Sequence, residues 1–76
     1  MRLYLGGYLD FYHPQRKRWL EVDLEQPVDL LALLERLRIP PANVYLVVIN
    51  GVMADLKDAQ VSPLDEVKLF SAMDGG

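Results

Sequence analysis

The chain has no cysteine, so no disulfide staples it and no thiol is available for nucleophilic or redox chemistry. Its single histidine, His13, is too little for a zinc site built from side chains, and no metal is expected. No carboxylate is spaced to pair with His13 for acid/base work, so it is read as a surface turn residue. Long hydrophobic runs are missing: the longest, Val44–Ile49, falls far short of the roughly 20 residues of a membrane span. The amino terminus is apolar only over Met1–Leu5 and has no signal-peptide pattern after it. A cytoplasmic protein without a membrane partner is therefore expected. Positive charge is also in deficit. The net charge of −3 and pI near 4.9 argue against nucleic acid as a partner, since that binding rests on phosphate neutralisation. The one basic run, Arg16-Lys17-Arg18, reads as a solvated hairpin tip. Gly6-Gly7 lacks the glycine spacing and following helix of a phosphate loop, and reads as a bulge or a close backbone approach.

What is present is a small, apolar chain. Its 76 residues are 51% hydrophobic, which fits one domain with a packed core. Leu3, Leu5, Leu9 and Phe11 share one parity against Arg2, Tyr4, Tyr8, Asp10 and Tyr12, which predicts one long strand with a buried face. After a turn at His13–Arg18, Trp19–Leu24 alternates again and predicts a second, antiparallel strand, with Trp19 packed across the pair on a tyrosine of the first. Gln26-Pro27-Val28-Asp29 starts a helix, with proline in its first turn and Asp29 complementing its positive end. Leu30, Leu33, Leu34 and Leu37 form its core stripe, and Arg38-Ile39-Pro40-Pro41 ends it.

Val44–Ile49 is the most β-prone stretch and is apolar on both parities. One helix covers only one face of a sheet, so this strand leaves a second apolar face that is either ordinary exposed surface or a partner interface. Asn50-Gly51 is a two-residue hairpin turn into a short strand at Val52–Ala54. Asp55–Asp65 is loop, with room for a helical turn. Glu66–Phe70 is the last strand, with Phe70 on the uncovered face. The order strand, strand, helix, strand, short strand, strand places the first and last strands side by side and parallel. This is an α+β chain of the β-grasp (ubiquitin-like) architecture: a mixed sheet of four to five strands with one main helix packed on one face. Residues 1–70 form the domain. Residues 71–76 form a flexible tail ending in Gly75-Gly76, thin enough to enter a narrow active site because glycine has no Cβ.

Three stretches carry a resemblance: Val47-Val48-Ile49-Asn50-Gly51, Pro63-Leu64-Asp65-Glu66-Val67-Lys68-Leu69-Phe70, and the terminal Gly75-Gly76. The chain resembles the MoaD/ThiS family of ubiquitin-like sulfur carriers over essentially its whole length. The long first hairpin and Leu69-Phe70 look more like the molybdopterin synthase small subunit than the thiamine-pathway carrier. Ser71-Ala72 stands where the molybdopterin branch has two prolines, and Asp74 where it has a small residue.

The resemblance implies a mechanism. A ubiquitin-activating-type adenylyltransferase uses ATP to adenylate the Gly76 carboxylate, and a sulfur donor converts it to a thiocarboxylate. The loaded carrier then meets a sulfur-accepting enzyme such as the molybdopterin synthase large subunit. Gly76 and Gly75 are the reactive end. Phe70, Met73, Asp74, Val47 and Ile49 are the expected partner contacts. No cofactor is expected to be bound, and the chain is not expected to be catalytic alone, since it has no acid/base constellation. Three alternatives stand beside this reading: a thiamine-pathway sulfur carrier, a ubiquitin-like protein modifier, and a non-catalytic β-grasp interaction module.

Overall fold

A computed structural model of the chain describes residues 1–72. In chain order these form β1 (Arg2–Leu5), β2 (Trp19–Glu21), β3 (Val28–Asp29), α1 (Leu30–Leu37), β4 (Val44–Ile49), β5 (Val52–Ala54), β6 (Gln60–Val61) and β7 (Glu66–Ser71). Three 3₁₀ turns lie at Leu9–Tyr12, Pro41–Asn43 and Leu56–Asp58. The main sheet has five strands in the order β2-β1-β7-β4-β5. The first and last strands meet at its centre, where β1 and β7 run parallel with Leu3 opposite Val67 and Leu5 opposite Leu69. The other pairs are antiparallel. This is the β-grasp arrangement that the order of elements predicts.

The core lies between the sheet and α1. Leu30, Leu33 and Leu34 of the helix meet Leu3, Leu5, Val67, Leu69 and Val47 of the sheet, all essentially inaccessible. Each such side chain contributes about 1.5–3 kcal/mol relative to staying exposed. The helix does not end through proline alone. Arg38 adopts the left-handed conformation, its N–H reaches Glu35 O, and the Ile39 N–H reaches Leu34 O at 2.9 Å. This double closure satisfies the last carbonyls and turns Ile39 back into the core. Pro40 then follows where no helical amide is needed.

The structure corrects the predicted first strand, which stops at Leu5 instead of reaching Tyr12. The Gly6 N–H still joins the ladder to Leu69 O at 2.7 Å, and Gly7, at φ +62°, turns the chain into a 3₁₀ segment. With three residues per turn, Leu9 and Tyr12 share the core side, while Phe11 points outward and is 60% exposed. The second strand is likewise shorter than its alternation, ending at Glu21. A second, two-stranded sheet pairs Val28 with Val61 and Asp29 with Gln60, joining the helix start to the 55–65 segment. Pairs this short carry no periodicity in sequence. The last strand runs one residue past Phe70, through Ser71.

Candidate functional site

The face of the sheet away from α1 is built by cross-strand register. Tyr4 stands opposite Trp19 on β2 and Lys68 on β7. Lys68 stands opposite Val48, and Val48 opposite Met53. One row therefore crosses all five strands as Trp19, Tyr4, Lys68, Val48 and Met53. The next row, nearer the chain end, holds Phe70 opposite Leu46. On the far side, Arg2 sits between Glu21 and Glu66, with ion pairs at 3.8 and 3.4 Å. These side chains are largely exposed, so the pairs are worth little in stability. They add charge at one side of a mainly apolar band whose middle strand contributes Lys68.

Within the band the aromatic rings are in contact. The Tyr4 and Trp19 centroids lie 4.9 Å apart and the Tyr4 and Phe70 centroids 5.9 Å apart, both tilted. The Arg2 guanidinium lies 4.3 Å over the Trp19 ring. The expected packing of Trp19 on a tyrosine of the first strand is this Tyr4 contact. Trp19 remains 41% exposed and Met53 73% exposed. A connected aromatic and aliphatic surface of this kind is what a partner protein buries.

Phe70 lies on this face as expected. Val47 and Ile49 do not, which corrects their reading as partner contacts: Val47 is 2% exposed, and Ile49 packs against the core. The open-face positions of β4 are Leu46 and Val48. A strand apolar on both parities does not reveal which parity faces the helix; only its register with β7, Leu46 opposite Phe70, settles it. Sequence reasoning singled out Val47 and Ile49 within an apolar strand whose open-face members are Leu46 and Val48, and it did not single out Tyr4 or Met53. The signal available was the parity of Phe70 carried across the sheet. Met73, Asp74, Gly75 and Gly76 lie outside the described residues.

The end of β7, where the tail begins, is held from below by the Gly6-Gly7 turn. A Cβ on Gly6 would lie 2.5 Å from the Phe70 ring, and one on Gly7 would overlap Ser71 Oγ. Gly6-Gly7 is therefore a close backbone approach. The Tyr8 N–H donates to Ser71 Oγ at 3.0 Å. Ser71, read from sequence as the first residue of a flexible tail, is a buried strand residue opposite Val44. A cleft of about 200 Å³ opens beside it, lined by Tyr8, Phe11, Tyr12, Asn43, Ser71 and Ala72 among others.

At the opposite end of the sheet, the Asn50-Gly51 turn is clasped to the start of β7. Both residues have positive φ, at 51° and 84°. Asn50 Nδ2 donates to Asp65 Oδ1 at 2.9 Å, and Asn50 Oδ1 accepts the Glu66 N–H at 2.9 Å. The Ser62 N–H donates to Asp65 Oδ2 at 2.8 Å. The Asn-Gly and Asp-Glu-Val stretches that are separate in sequence are thus one hydrogen-bonded unit.

Among the described residues, no group of three or more His, Cys, Asp or Glu comes together as a metal site, and no helix is long and apolar enough to cross a membrane. The arrangement offers a largely apolar open face beside the end of β7. A family model, that of the ThiS family, matches residues 10–76. No curated protein matches the chain at a significant level.

Proposed function

The chain belongs to the ThiS family of ubiquitin-like sulfur carriers, and we propose that it carries its sulfur as a thiocarboxylate on Gly76, in the cytoplasm, for molybdopterin cofactor biosynthesis. The carrier part of this reading is supported by the match through Gly76 on a chain whose last strand places Phe70, beside the tail root, on the open face; the molybdopterin branch rests on the resemblance of the first hairpin and Leu69-Phe70.

A free carboxylate is a poor electrophile. In the proposed first step a Gly76 carboxylate oxygen attacks the α-phosphorus of ATP in the activating enzyme, and pyrophosphate leaves. A sulfide-equivalent donor then attacks the acyl carbon and AMP leaves, which exchanges one oxygen for one sulfur. The open face, centred on Phe70, Tyr4, Leu46 and Val48, docks the adenylyltransferase. It is available again for a sulfur-accepting enzyme such as the molybdopterin synthase large subunit. Aromatic anchors are the usual energetic centres of such interfaces. Met73 and Asp74, within the tail, are proposed to contact the wall of the enzyme channel that receives it, with Met73 as an adaptable apolar contact.

Leu69-Phe70 favours the molybdopterin branch. Ser71-Ala72 departs from that branch's two prolines, and the match to the ThiS family supports the second reading, the thiamine-pathway carrier. Presenting the loaded carrier to a molybdopterin synthase large subunit and, separately, to a thiazole-forming enzyme separates the two. Turnover only with the latter rejects the molybdopterin assignment. Deleting Gly76 tests the carrier reading itself: loading should vanish while the melting temperature stays unchanged, and a deletion variant that still loads would overturn it.

A further inference from the structure

Among the described residues, strand β2 is an edge of the main sheet, with no strand beyond it. Its inward groups are fixed by β1: the Leu5 N–H bonds Arg18 O at 2.7 Å, and the Val22 N–H bonds Met1 O at 2.9 Å. Antiparallel pairing alternates, so the backbone groups of Trp19 and Glu21 point away from β1. Between this free edge and the end of α1 runs a groove. It consists of two connected hollows of about 450 and 300 Å³ that share Leu20, Leu37 and His13. Its floor is apolar, with Val22 and Ile39 continuing the surface of Leu20 and Leu37. Its rim is cationic: Lys17 on one side, Arg36 and Arg38 on the other, against the single carboxylate of Glu21. His13 Nδ1 accepts the Gln15 N–H at 3.0 Å and the Lys17 N–H at 3.4 Å, which holds the basic loop at the groove mouth. The groove is thus positive on a chain whose net charge is −3.

We propose that this groove is a second interaction surface, which takes an extended, acidic peptide segment of a partner protein as an added strand on β2. The free amide and carbonyl groups of Trp19 and Glu21 pair with the peptide backbone. Alternate peptide side chains fall on the helix side, where apolar ones cover Leu20 and Leu37. Carboxylates flanking them meet Lys17, Arg36 and Arg38. The charge on the edge also blunts sheet-to-sheet aggregation, which is the general reason for charged edge residues. That role alone predicts no peptide binding. The groove adjoins the open face at Trp19 and otherwise lies on the helix side of the sheet, and the proposal does not depend on the sulfur chemistry.

The test uses the whole protein, ¹⁵N-labelled, titrated with a blocked synthetic peptide of about eight residues, the length of an ordinary strand. The peptide carries three consecutive valines flanked by aspartates. The amides of Trp19, Glu21, Leu37 and Arg38 should shift, and the Trp19 and Glu21 amides should exchange more slowly with solvent. Added salt should weaken binding. Lys17→Glu with Arg36→Glu changes two exposed side chains and leaves the core intact. That variant should keep its dispersed spectrum and lose about tenfold in affinity, the scale of 1.4 kcal/mol. The proposal is overturned by any of four results. These are equal binding of the same peptide with lysines for aspartates, shifts confined to the Tyr4–Phe70 face, no shifts at millimolar peptide, or a short oligonucleotide moving these amides where the peptide does not.

Discussion

Gly6 lies directly against the ring of Phe70, so closely that a Cβ at position 6 would stand 2.5 Å from Phe70 Cδ1. The third-nearest atom to that position belongs to Tyr4, at 3.0 Å. The Trp19–Tyr4–Phe70 aromatic cluster therefore rests on a residue without a side chain. The turn that ends β1 therefore bounds how closely the aromatic rings of the open face can sit on the sheet.

Gly6→Ala is expected to push the Phe70 ring off Tyr4 and to cost about 1–2 kcal/mol, in the range of small overpacking changes. Near-ultraviolet circular dichroism, which reads the aromatic packing, should change, and activation by the partner enzyme should weaken. An unchanged aromatic spectrum would contradict this role for Gly6.

Ser71 and Gly7 should behave as one unit. Ser71→Ala removes the acceptor for the Tyr8 N–H and should cost about 1 kcal/mol. In a domain of this size that is a fall in melting temperature of roughly 4–8 °C. Gly7→Ala combines a left-handed backbone penalty of about 1–2 kcal/mol with overlap on Ser71 Oγ. Because the overlap involves the hydroxyl itself, the double variant should be less destabilised than the sum of the singles in urea unfolding. Additive values would mean that the two residues do not touch in solution.

Neighbouring residues on one strand should separate stability from binding. Val47→Ala opens a cavity in the core and is expected to cost about 2 kcal/mol with no specific loss of partner affinity. Phe70→Ala is expected to lower affinity for the activating enzyme by about 2 kcal/mol, roughly thirtyfold, as for an aromatic interface anchor. Val48→Ala should weaken binding less, with little change in stability. Isothermal titration beside thermal unfolding reads both quantities. The reverse pattern would place the interface on the helix side.

Most of this fold was legible in the sequence because its main elements have clear periods. The leucine stripe of α1, the alternation of β7 and the Asn50-Gly51 turn each led to the observed element. The failures have physical causes. Leu9 and Phe11 keep the parity of β1, but the turn at Gly7 changes the period from two to three, and Phe11 leaves the core. β4 is apolar on both sides, so Val47 and Ile49 could not be told from Leu46 and Val48 before register was known. Ser71 looked like tail because serine signals no burial; its partner, the Tyr8 N–H, is 63 positions away. Long-range backbone partners of this kind leave no local pattern.

The clasp between Asn50 and Asp65 should be worth more than an ordinary surface contact. Asn50→Gly keeps the positive φ but loses both side-chain hydrogen bonds, and should cost about 1–2 kcal/mol. Asn50→Ala adds backbone strain and should cost about 1 kcal/mol more. Urea midpoints of the two variants give the comparison, and equal midpoints would show that the backbone conformation contributes nothing.

The most direct test of the carrier account is intact-mass and C-terminal fragment analysis of the protein after incubation with ATP, a cognate adenylyltransferase and a sulfur donor. The predicted result is exchange of one oxygen for one sulfur, located at Gly76 and absent when ATP is omitted. A chain that remains folded and binds the adenylyltransferase, yet shows no mass change at Gly76 with any cognate enzyme and donor, would contradict it.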